Sequence, residues 1–445
     1  MLSSTSPRRN RRFVAASAGI ASLALVLGAC GSGDEPADEE TAAEEGGSTD
    51  EEITLTVATF NNFGYTDELL AQYTEEHPNV TVEHVTAAQA EDARTNLSTK
   101  LAAGGEGLAD IEAVEVDWLA EFMQYPELFA EMPAIDGRWV DWKVEQATTQ
   151  DGKLIGYGTD IGPEAICYRS DLLEAAGLPS EREEVAEWIG GDGATWESYF
   201  DAGKEYVEAT GNAWFDGAVA TYQGMINQVE AAYEDPSTGE PKDLASNTEV
   251  QDLYNQVVTA SVDDELSAGL EQWGDDWSAG FQNDAFATML CPAWMTGPIE
   301  QNAGGVEGWD VADVFPGGGG NWGGSFLTVP ASGENVEAAQ ELADWLTSPE
   351  IQTQAFVEAG TFPSQVDAQE SEEVQSFTND FMSGAPVGSI FSSRAQAIDG
   401  AVYKGPNYFA IHQEVQNGLN RVDLNGEDPE ASWETTLSSV NELGL

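Results

Sequence analysis

Positively charged residues are scarce in this chain. It has 16 lysines and arginines against 80 aspartates and glutamates, a formal net charge of −64. A surface of this kind repels polyanions, which excludes nucleic acids and anionic membrane surfaces as partners and disfavours an acidic ligand. The charge does not indicate disorder, because 41% of the residues are hydrophobic and 13 are tryptophan. We therefore expect a folded protein with an acidic, halophilic surface that counter-ions screen at high salt.

Histidines and catalytic motifs are also few. The three histidines, His77, His84 and His412, do not have the spacing of metal ligands. The glycine run at 317–320 lacks the Gly-Lys-Ser/Thr of a phosphate loop, and no Gly-x-Ser-x-Gly nucleophile motif occurs. The sequence therefore predicts no metal, no cofactor and no catalytic residue.

Long apolar runs are missing, and the longest one lies near the N-terminus. Residues 13–27 are apolar and follow four arginines between positions 8 and 12. This run of about 15 residues is shorter than the roughly 20 that span a bilayer. It ends in Leu-Gly-Ala-Cys and resembles a bacterial lipoprotein signal, which predicts a signal peptide over residues 1–29 and lipidation of Cys30. The export route, general or twin-arginine, stays open because Phe13 directly follows Arg12.

The segment after Cys30 has no large apolar side chain. Residues 31–52 are small residues and ten acids, which cannot bury enough surface to offset the entropy of ordering. We expect residues 30–52 to be a disordered acidic tether on the extracellular face of the cell membrane, with the lipid as the only anchor. Cleavage before Cys30 leaves 12 basic against 80 acidic residues, a net charge of −68.

The remaining residues, 53–445, alternate between strand and helix patterns. A β-rich run at 53–58, a helix capped by Thr66, a strand at 80–85, a helix ending at Gly104 and a strand at 110–116 predict a parallel, doubly wound sheet. Ligands of such sheets bind at the carboxyl ends of the strands. Because one core rarely grows beyond about 250–300 residues, we expect two lobes.

Five later stretches resemble one family when taken in order. They are GKLIGYGTDIGPEAICYRSDLLEAAGL at 152–178, TWESYFDAGKEY at 195–206, MLCPAWM at 289–295, GGSFLTVPASGENVEAAQELADWLTSPEIQ at 323–352 and GTFPS at 360–364. Together they resemble extracellular solute-binding proteins of carbohydrate ABC importers, related to maltose-binding proteins. One departure is Arg169, which follows Tyr168 where the family often has asparagine.

The resemblance implies an α/β, two-lobe fold of the periplasmic-binding-protein type, in which each lobe is a doubly wound sheet flanked by helices and hinge crossings join the lobes. Lobe 1 would hold residues 53–157 and 316–360, and lobe 2 residues 158–315 and 361–445. The protein would be a monomer that captures a neutral di- or oligosaccharide and delivers it to membrane permease subunits. A secreted glycoside hydrolase is the alternative, because carboxylates and tryptophans also build such sites. The sugar stays open among cello-, chito- and maltooligosaccharides.

A sugar offers C–H faces to aromatic rings and hydroxyl groups to carboxylates and amides. At the strand ends of lobe 1 the candidates are Asn61 and Phe63, and Asp117 and Trp118. Asp117 would accept hydrogen bonds from hydroxyl groups and Trp118 would stack on a ring. The alternative is a surface acid and a core tryptophan.

The other candidate ligand contacts lie at the crossings and in lobe 2. They are Asp160, Tyr222, Gln223, Trp294, Trp322 and Tyr408, of which Trp294 matches the family's sugar-stacking position. Cys167 and Cys291 are the one possible cysteine pair of the mature chain besides the lipidated residue, so we predict a disulfide. Two separate buried thiols are the alternative.

Overall fold

A computed structural model describes residues 52–445. The predicted signal peptide, the lipidated Cys30 and the acidic tether up to residue 51 lie outside the described residues. In the part described, no helix combines the length and apolar character needed to cross a membrane.

The described strands fall into two sheets, and helices follow most of them. The strands are β1 Ile53–Phe60, β2 Val80–Ala87, β3 Ile111–Glu115, β4 Gly156–Gly158, β5 Glu164–Arg169, β6 Ala213–Phe215, β7 Phe286–Pro292, β8 Trp309–Ala312 and β9 Ser325–Thr328. The helices are α1 Asp67–Glu76, α2 Ala90–Ala102, α3 Val116–Phe122, α4 Asp141–Gln146, α5 Ser170–Ala176, α6 Arg182–Ile189, α7 Trp196–Thr210, α8 Ala218–Ile226, α9 Thr248–Val258, α10 Asp275–Gly280, α11 Thr296–Ala303, α12 Val336–Leu346, α13 Pro349–Ala359, α14 Val366–Gln369, α15 Glu372–Gln375, α16 Val387–Gln396, α17 Tyr408–Asp423 and α18 Pro429–Glu442.

The first sheet has the strand order β2-β1-β3-β9-β4. β1 pairs in parallel with β2 and β3, as the β-α-β-α-β pattern predicted. β9 enters from a distant part of the chain and pairs antiparallel with both β3 and β4, so that Leu327 lies opposite Ala113 on one side and Tyr157 on the other. The chain therefore leaves this sheet after β4 and returns to it at β9.

The second sheet has the order β6-β7-β5-β8, and its central strand pairs are antiparallel. Only β6 and β7 run in parallel among its described strands. Side chains of β5 alternate between two cores: Ile166 and Tyr168 face the core that contains α7, α8 and α17, whereas Ala165 and Cys167 face the core that contains α10 and α11. The predicted α/β class with two sheets is confirmed.

Three chain segments run side by side between the sheets. Residues 159–163 connect β4 to β5, residues 313–324 connect β8 to β9, and residues 360–364 follow α13. The Ile161 amide donates to the Phe362 carbonyl over 2.8 Å, and the Trp322 amide donates to the Gly162 carbonyl over 2.8 Å. A Cβ atom on Gly162 would lie 1.7 Å from the Trp322 oxygen, so this close approach requires glycine.

Several local sequence signals have the expected structural result. Thr66, Thr195 and Ser348 cap α1, α7 and α13 through side-chain bonds to backbone amides. Gly177 and Gly360 end α5 and α13 in the left-handed conformation. The third strand ends one residue earlier than predicted, because Glu115 caps α3 and draws Val116 into that helix.

Cys167 and Cys291 lie on the neighbouring strands β5 and β7. Their Cα atoms are 5.4 Å apart, and the structure joins their sulfur atoms in a disulfide. Both residues are fully buried in the core that contains α10 and α11. The link ties the strand that leaves residues 159–163 to the strand that leads into Trp294.

Candidate functional site

A polar cluster lies where elements of the two sheets meet. The ammonium of Lys404, just before α17, donates to the carboxylate of Asp117 in the first turn of α3, and also to Asn227 Oδ1 at 3.1 Å. Asn227 follows α8, which packs on the second sheet. Three separate elements thus converge on one buried cation, and we call Asp117, Asn227, Lys404 and the neighbouring Glu115 and Glu164 the polar cluster.

Glu115 lies next to Asp117 in this cluster and caps the N-terminus of α3. Its Oε2 accepts a hydrogen bond of 2.8 Å from the Asp117 amide. Burial raises the pKa of Glu115 to about 8, and the negative charge of Asp117 acts in the same direction, whereas Lys404 opposes it. Glu115 is therefore mainly protonated at neutral pH, which limits the negative charge next to Asp117.

Glu164, at the start of β5, is a fully buried carboxyl group. Neither of its oxygens accepts a hydrogen bond from the described residues. Burial raises the pKa of Glu164 well above its ordinary value, and the charge of Lys404 opposes this shift. A Cβ atom on Gly320 would lie 2.5 Å from Oε2, so glycine leaves room beside the carboxyl group. Buried polar atoms are nearly always hydrogen-bonded, so these oxygens indicate a place for an outside donor.

A chain of hydrogen bonds supports the polar cluster from the side of the second sheet. Gln223 Nε2 donates to Asn227 Oδ1 at 3.2 Å, and Gln223 Oε1 lies 2.6 Å from His412 Nε2. His412 Nδ1 lies 2.9 Å from the Tyr233 hydroxyl, which lies 2.9 Å from the Tyr222 hydroxyl. Burial lowers the pKa of His412 to about 4, so the ring is neutral at pH 7. Since an amide oxygen only accepts, Nε2 carries the proton and Nδ1 accepts from Tyr233.

Asp160 is held by the crossing segments. Its Oδ1 accepts hydrogen bonds from the Ser325 amide at 2.9 Å and from the Thr159 hydroxyl at 2.6 Å. Lys143 is buried nearby, and its ammonium has no hydrogen-bond acceptor among the described residues. Burial lowers the pKa of Lys143 to about 7, although Asp160 and Glu115 oppose this shift. Asp160 therefore stabilises the contact between residues 159–163 and β9. One of its two carboxylate oxygens is already occupied, so it can accept fewer hydrogen bonds from a ligand than predicted.

Two of the predicted aromatic residues form a pair beside the crossing. Trp294 Nε1 donates to the Trp322 carbonyl at 2.9 Å, and the two rings meet edge to face with centroids 5.9 Å apart. Both side chains are half-buried. This geometry leaves part of each ring open to solvent, as a stacking surface requires.

Other predicted contacts lie within the protein interior. Trp118 packs between Phe60 and Phe122, and Phe63 packs edge to face on Phe60 with centroids 5.1 Å apart. Their burial in the core of the first sheet argues against the predicted stacking role and favours the alternative of a core tryptophan. The reason is that α3 begins at Val116, which turns Trp118 inward while Asp117 points to the polar cluster.

The remaining three predicted contacts differ in position. Asn61 is exposed, with a left-handed φ of 50°. Tyr222 and Tyr408 are buried, and each stacks on the ring of His412. The hydroxyl of Tyr408 has no partner among the described residues.

Sequence reasoning missed Glu164, Asn227, Lys404 and His412. Glu164 had a detectable signal, because this acid directly precedes the apolar and aromatic run Ala165–Tyr168. Lys404 and Asn227 have no local signal, since Lys404 bonds to Asp117, 287 positions away in sequence, and to Asn227, 177 positions away. A surface cavity of about 430 Å³ lies elsewhere, between α7 and α9, and is lined mainly by exposed polar side chains.

Comparisons with known proteins agree with this architecture. Residues 68–380 match the family described as bacterial extracellular solute-binding protein. The arabinooligosaccharide-binding protein of Bacillus subtilis is 26% identical over 396 residues, which cover 83% of this chain and 84% of that protein. The arabinooligosaccharide-binding protein of Halalkalibacterium halodurans is 22% identical over 394 residues, which cover 85% of this chain and 81% of that protein.

A crystal structure of an extracellular solute-binding protein of family 1 is also similar. It is 45% identical in sequence, has a TM-score of 0.79, and the match covers 88% of this chain and 99% of that one. The family match alone spans well over half of the chain. The chain belongs to the bacterial extracellular solute-binding proteins.

Proposed function

We propose that this protein is the substrate-binding component of a carbohydrate ABC importer. It captures a neutral di- or oligosaccharide between lobe 1, residues 53–157 and 316–360, and lobe 2, residues 158–315 and 361–445, and delivers it to the permease. The lipidated Cys30 and the acidic tether hold it at the extracellular face of the cell membrane. It works as a monomer and without catalysis.

The observation that carries this proposal is the polar cluster. Glu164 has two buried oxygens without hydrogen-bond donors, and its pKa is influenced by the charge of Lys404, which binds Asp117 in the first turn of α3. Sugar hydroxyl groups are neutral donors of the required kind. A ligand that bonds to both sides of the cluster favours the conformation in which the lobes are together, by its difference in affinity for the two states.

The electrostatics of the cluster favour a neutral ligand. Its one ammonium, Lys404, already binds Asp117, and burial raises the pKa of both Glu115 and Glu164. An anionic ligand would meet no unpaired cation in the polar cluster and would be repelled by the net charge of the whole chain. Hydroxyl groups meet no such penalty and can donate to any of the three carboxyl groups of the polar cluster.

Arabinooligosaccharides are the first ligands to test, because two relatives carry that name. Cello-, chito- and maltooligosaccharides form the comparison set. We expect isothermal titration calorimetry on the mature protein to give micromolar or tighter dissociation constants for one series, with little binding of a uronic acid oligosaccharide of equal length. No binding of any series would contradict the proposal.

The family is one of binding proteins, and we propose no hydrolytic activity. Prolonged incubation of the protein with each bound oligosaccharide should leave its length unchanged in chromatography. Shorter products that form in proportion to protein concentration would support the glycoside hydrolase alternative.

A further inference from the structure

Trp273 is the exposed tryptophan of this protein. Its side chain is 42% exposed, whereas the other 12 tryptophans, which all lie in the described range, are buried or half-buried. A single exposed aromatic residue is ordinary on a protein surface. Two further observations distinguish Trp273 from such a residue: its backbone conformation and its place next to Trp294.

The backbone of Trp273 is held in an unfavourable conformation. Its φ is +71°, in the left-handed region, whereas the next residue, Gly274, does not use that region. A bulky residue adopts such a φ only where its surroundings enforce it, and such residues cluster at ligand-binding positions. Here the flanking side chains of Gln272 and Trp277 both donate to Asp216 Oδ2, at 2.8 and 2.9 Å.

Asp216 is therefore the anchor of this loop. It is buried, and its backbone carbonyl also accepts a bond of 3.0 Å from the Leu270 amide. These bonds fix the loop on both sides of Trp273, whose ring packs on Trp277 with centroids 5.3 Å apart and stays partly exposed. The protein thus maintains a partly exposed aromatic ring on a backbone with a left-handed φ.

The ring of Trp273 continues an aromatic surface that starts at the crossing. It is nearly parallel to the ring of Trp294, with an interplanar angle of 21° and centroids 6.1 Å apart. Trp294 in turn meets Trp322 edge to face, and the Trp322 amide bonds to Gly162 in the crossing. We call Trp273, Trp294 and Trp322 the aromatic rim.

We propose that Trp273 is an outer stacking platform that contacts only the longer members of an oligosaccharide series and so determines preference for ligand length. This inference rests on the proposed function. The first sugar units bond to the polar cluster, the chain then follows the aromatic rim, and a terminal unit places its C–H face on Trp273. Shorter sugars end before they reach this ring.

The test compares Trp273→Gly and Trp273→Phe with the wild type. Calorimetry with arabinooligosaccharides of two to five units measures the affinity for each length. We expect Trp273→Gly to bind the longest ligand about tenfold more weakly and the disaccharide unchanged, whereas Trp273→Phe retains most of the affinity. Because glycine accepts a positive φ without strain, the melting temperature of Trp273→Gly should equal or exceed that of the wild type.

Tyr125→Ala is the matched control, since Tyr125 is another exposed aromatic residue, located beside the first sheet. It should bind every length as the wild type does. An equal loss for every length in Trp273→Gly, or no loss, would overturn the inference, and a lower melting temperature in that variant would identify Trp273 as a packing residue. Wild-type protein that binds none of these sugars would overturn the arabinooligosaccharide assignment and this inference together.

Discussion

Lys404 and Asp117 form an ion pair that connects the segment before α17 to α3. The two side chains are 5% and 14% exposed. The same interface includes the guanidinium of Arg94, 4.3 Å from the ring centroid of Phe409. Exposed ion pairs contribute little, but a pair removed from water interacts strongly and leaves a large penalty when one partner is lost. The pair is thus well placed to stabilise the conformation in which the two lobes are in contact.

Replacing Lys404 by glutamine should shift the protein towards a conformation in which the two lobes are further apart. The substitution leaves the Asp117 carboxylate without its cation. Loss of one member of a fully buried ion pair lowers the free energy of unfolding by about 3–5 kcal/mol. We expect a smaller loss here, because the Asp117 side chain is partly exposed. We expect a larger radius of gyration without ligand in small-angle scattering, a lower melting temperature and weaker sugar binding.

Lys204→Gln provides the control for the loss of one positive charge. Lys204 pairs with Asp201, but the two side chains are 46% and 59% exposed, so solvent screens the interaction. Its scattering profile should match that of the wild type. An unchanged profile in Lys404→Gln as well would show that this pair does not hold the lobes together.

Glu164→Gln should reduce affinity without destabilising the protein. The amide has nearly the same shape, and it removes a buried carboxyl group that lacks donors in the described structure. A hydrogen bond to a charged acceptor contributes about 1.5–3 kcal/mol, so we expect sugar binding to weaken roughly tenfold to a hundredfold. The melting temperature at pH 7 should stay the same or rise.

Proton release provides an independent check on Glu164. Burial raises the pKa of this group, whereas sugar hydroxyl groups that donate to it favour the ionised form. Binding to the wild type should therefore release protons, seen as a binding enthalpy that depends on the ionisation enthalpy of the buffer. Glu164→Gln should lose this dependence, and the exposed control Glu174→Gln should keep it. A buffer-independent enthalpy in the wild type would contradict the contact.

The raised pKa of Glu115 predicts a pH dependence of stability. Its folded value of about 8 lies above its ordinary value, so the folded state binds the proton more tightly than the unfolded state does. The contribution of this group is fully present below its ordinary pKa and decreases as the pH rises to about 8. Lys143, with a pKa lowered to about 7, acts in the opposite direction above pH 7.

Glu115→Gln isolates the first of these effects. The glutamine oxygen can still accept from the Asp117 amide, but it does not titrate. The melting temperature of the variant minus that of the wild type should increase steadily from pH 5 to pH 8. A constant difference across this range would show that Glu115 does not titrate there.

The sequence predicted the elements of this fold better than it predicted the site. Caps and periodicity are local, so Thr66, Ser348 and Gly360 mark their helices without knowledge of tertiary structure. The antiparallel insertion of β9 between β3 and β4 depends on contacts about 200 residues apart, which local patterns do not encode.

The site residues were harder to predict from the sequence for the same physical reason. Asp117 and Trp118 are adjacent in sequence, but a helical turn sends one to the polar cluster and the other to the core. Trp273 has no local signal of a ligand contact, because its left-handed backbone and exposure are visible only in three dimensions.

The excess of acidic residues predicts that stability depends on salt. In the described residues, the ion pairs engage Asp117, Glu121, Asp171, Asp201, Asp264, Asp284, Asp310, Asp313 and Asp344. These are a small part of the 80 acids of the chain, so most carboxylates repel one another without a nearby cation. The Debye length falls from about 30 Å at 0.01 M salt to about 3 Å at 1 M, which weakens that repulsion throughout the surface.

We expect the melting temperature to rise markedly between about 0.05 M and 2 M sodium chloride, and most steeply at the low end, where screening changes most. Potassium chloride at equal ionic strength should give a similar rise, because screening depends on charge and concentration. Sucrose, which is excluded from protein surfaces but does not screen, serves as the control for general stabilisation and should give no steep rise at low concentration. A melting temperature that stays flat across the salt range would show that the protein tolerates its acids without needing salt, and the inferred adaptation to high salt would then be wrong.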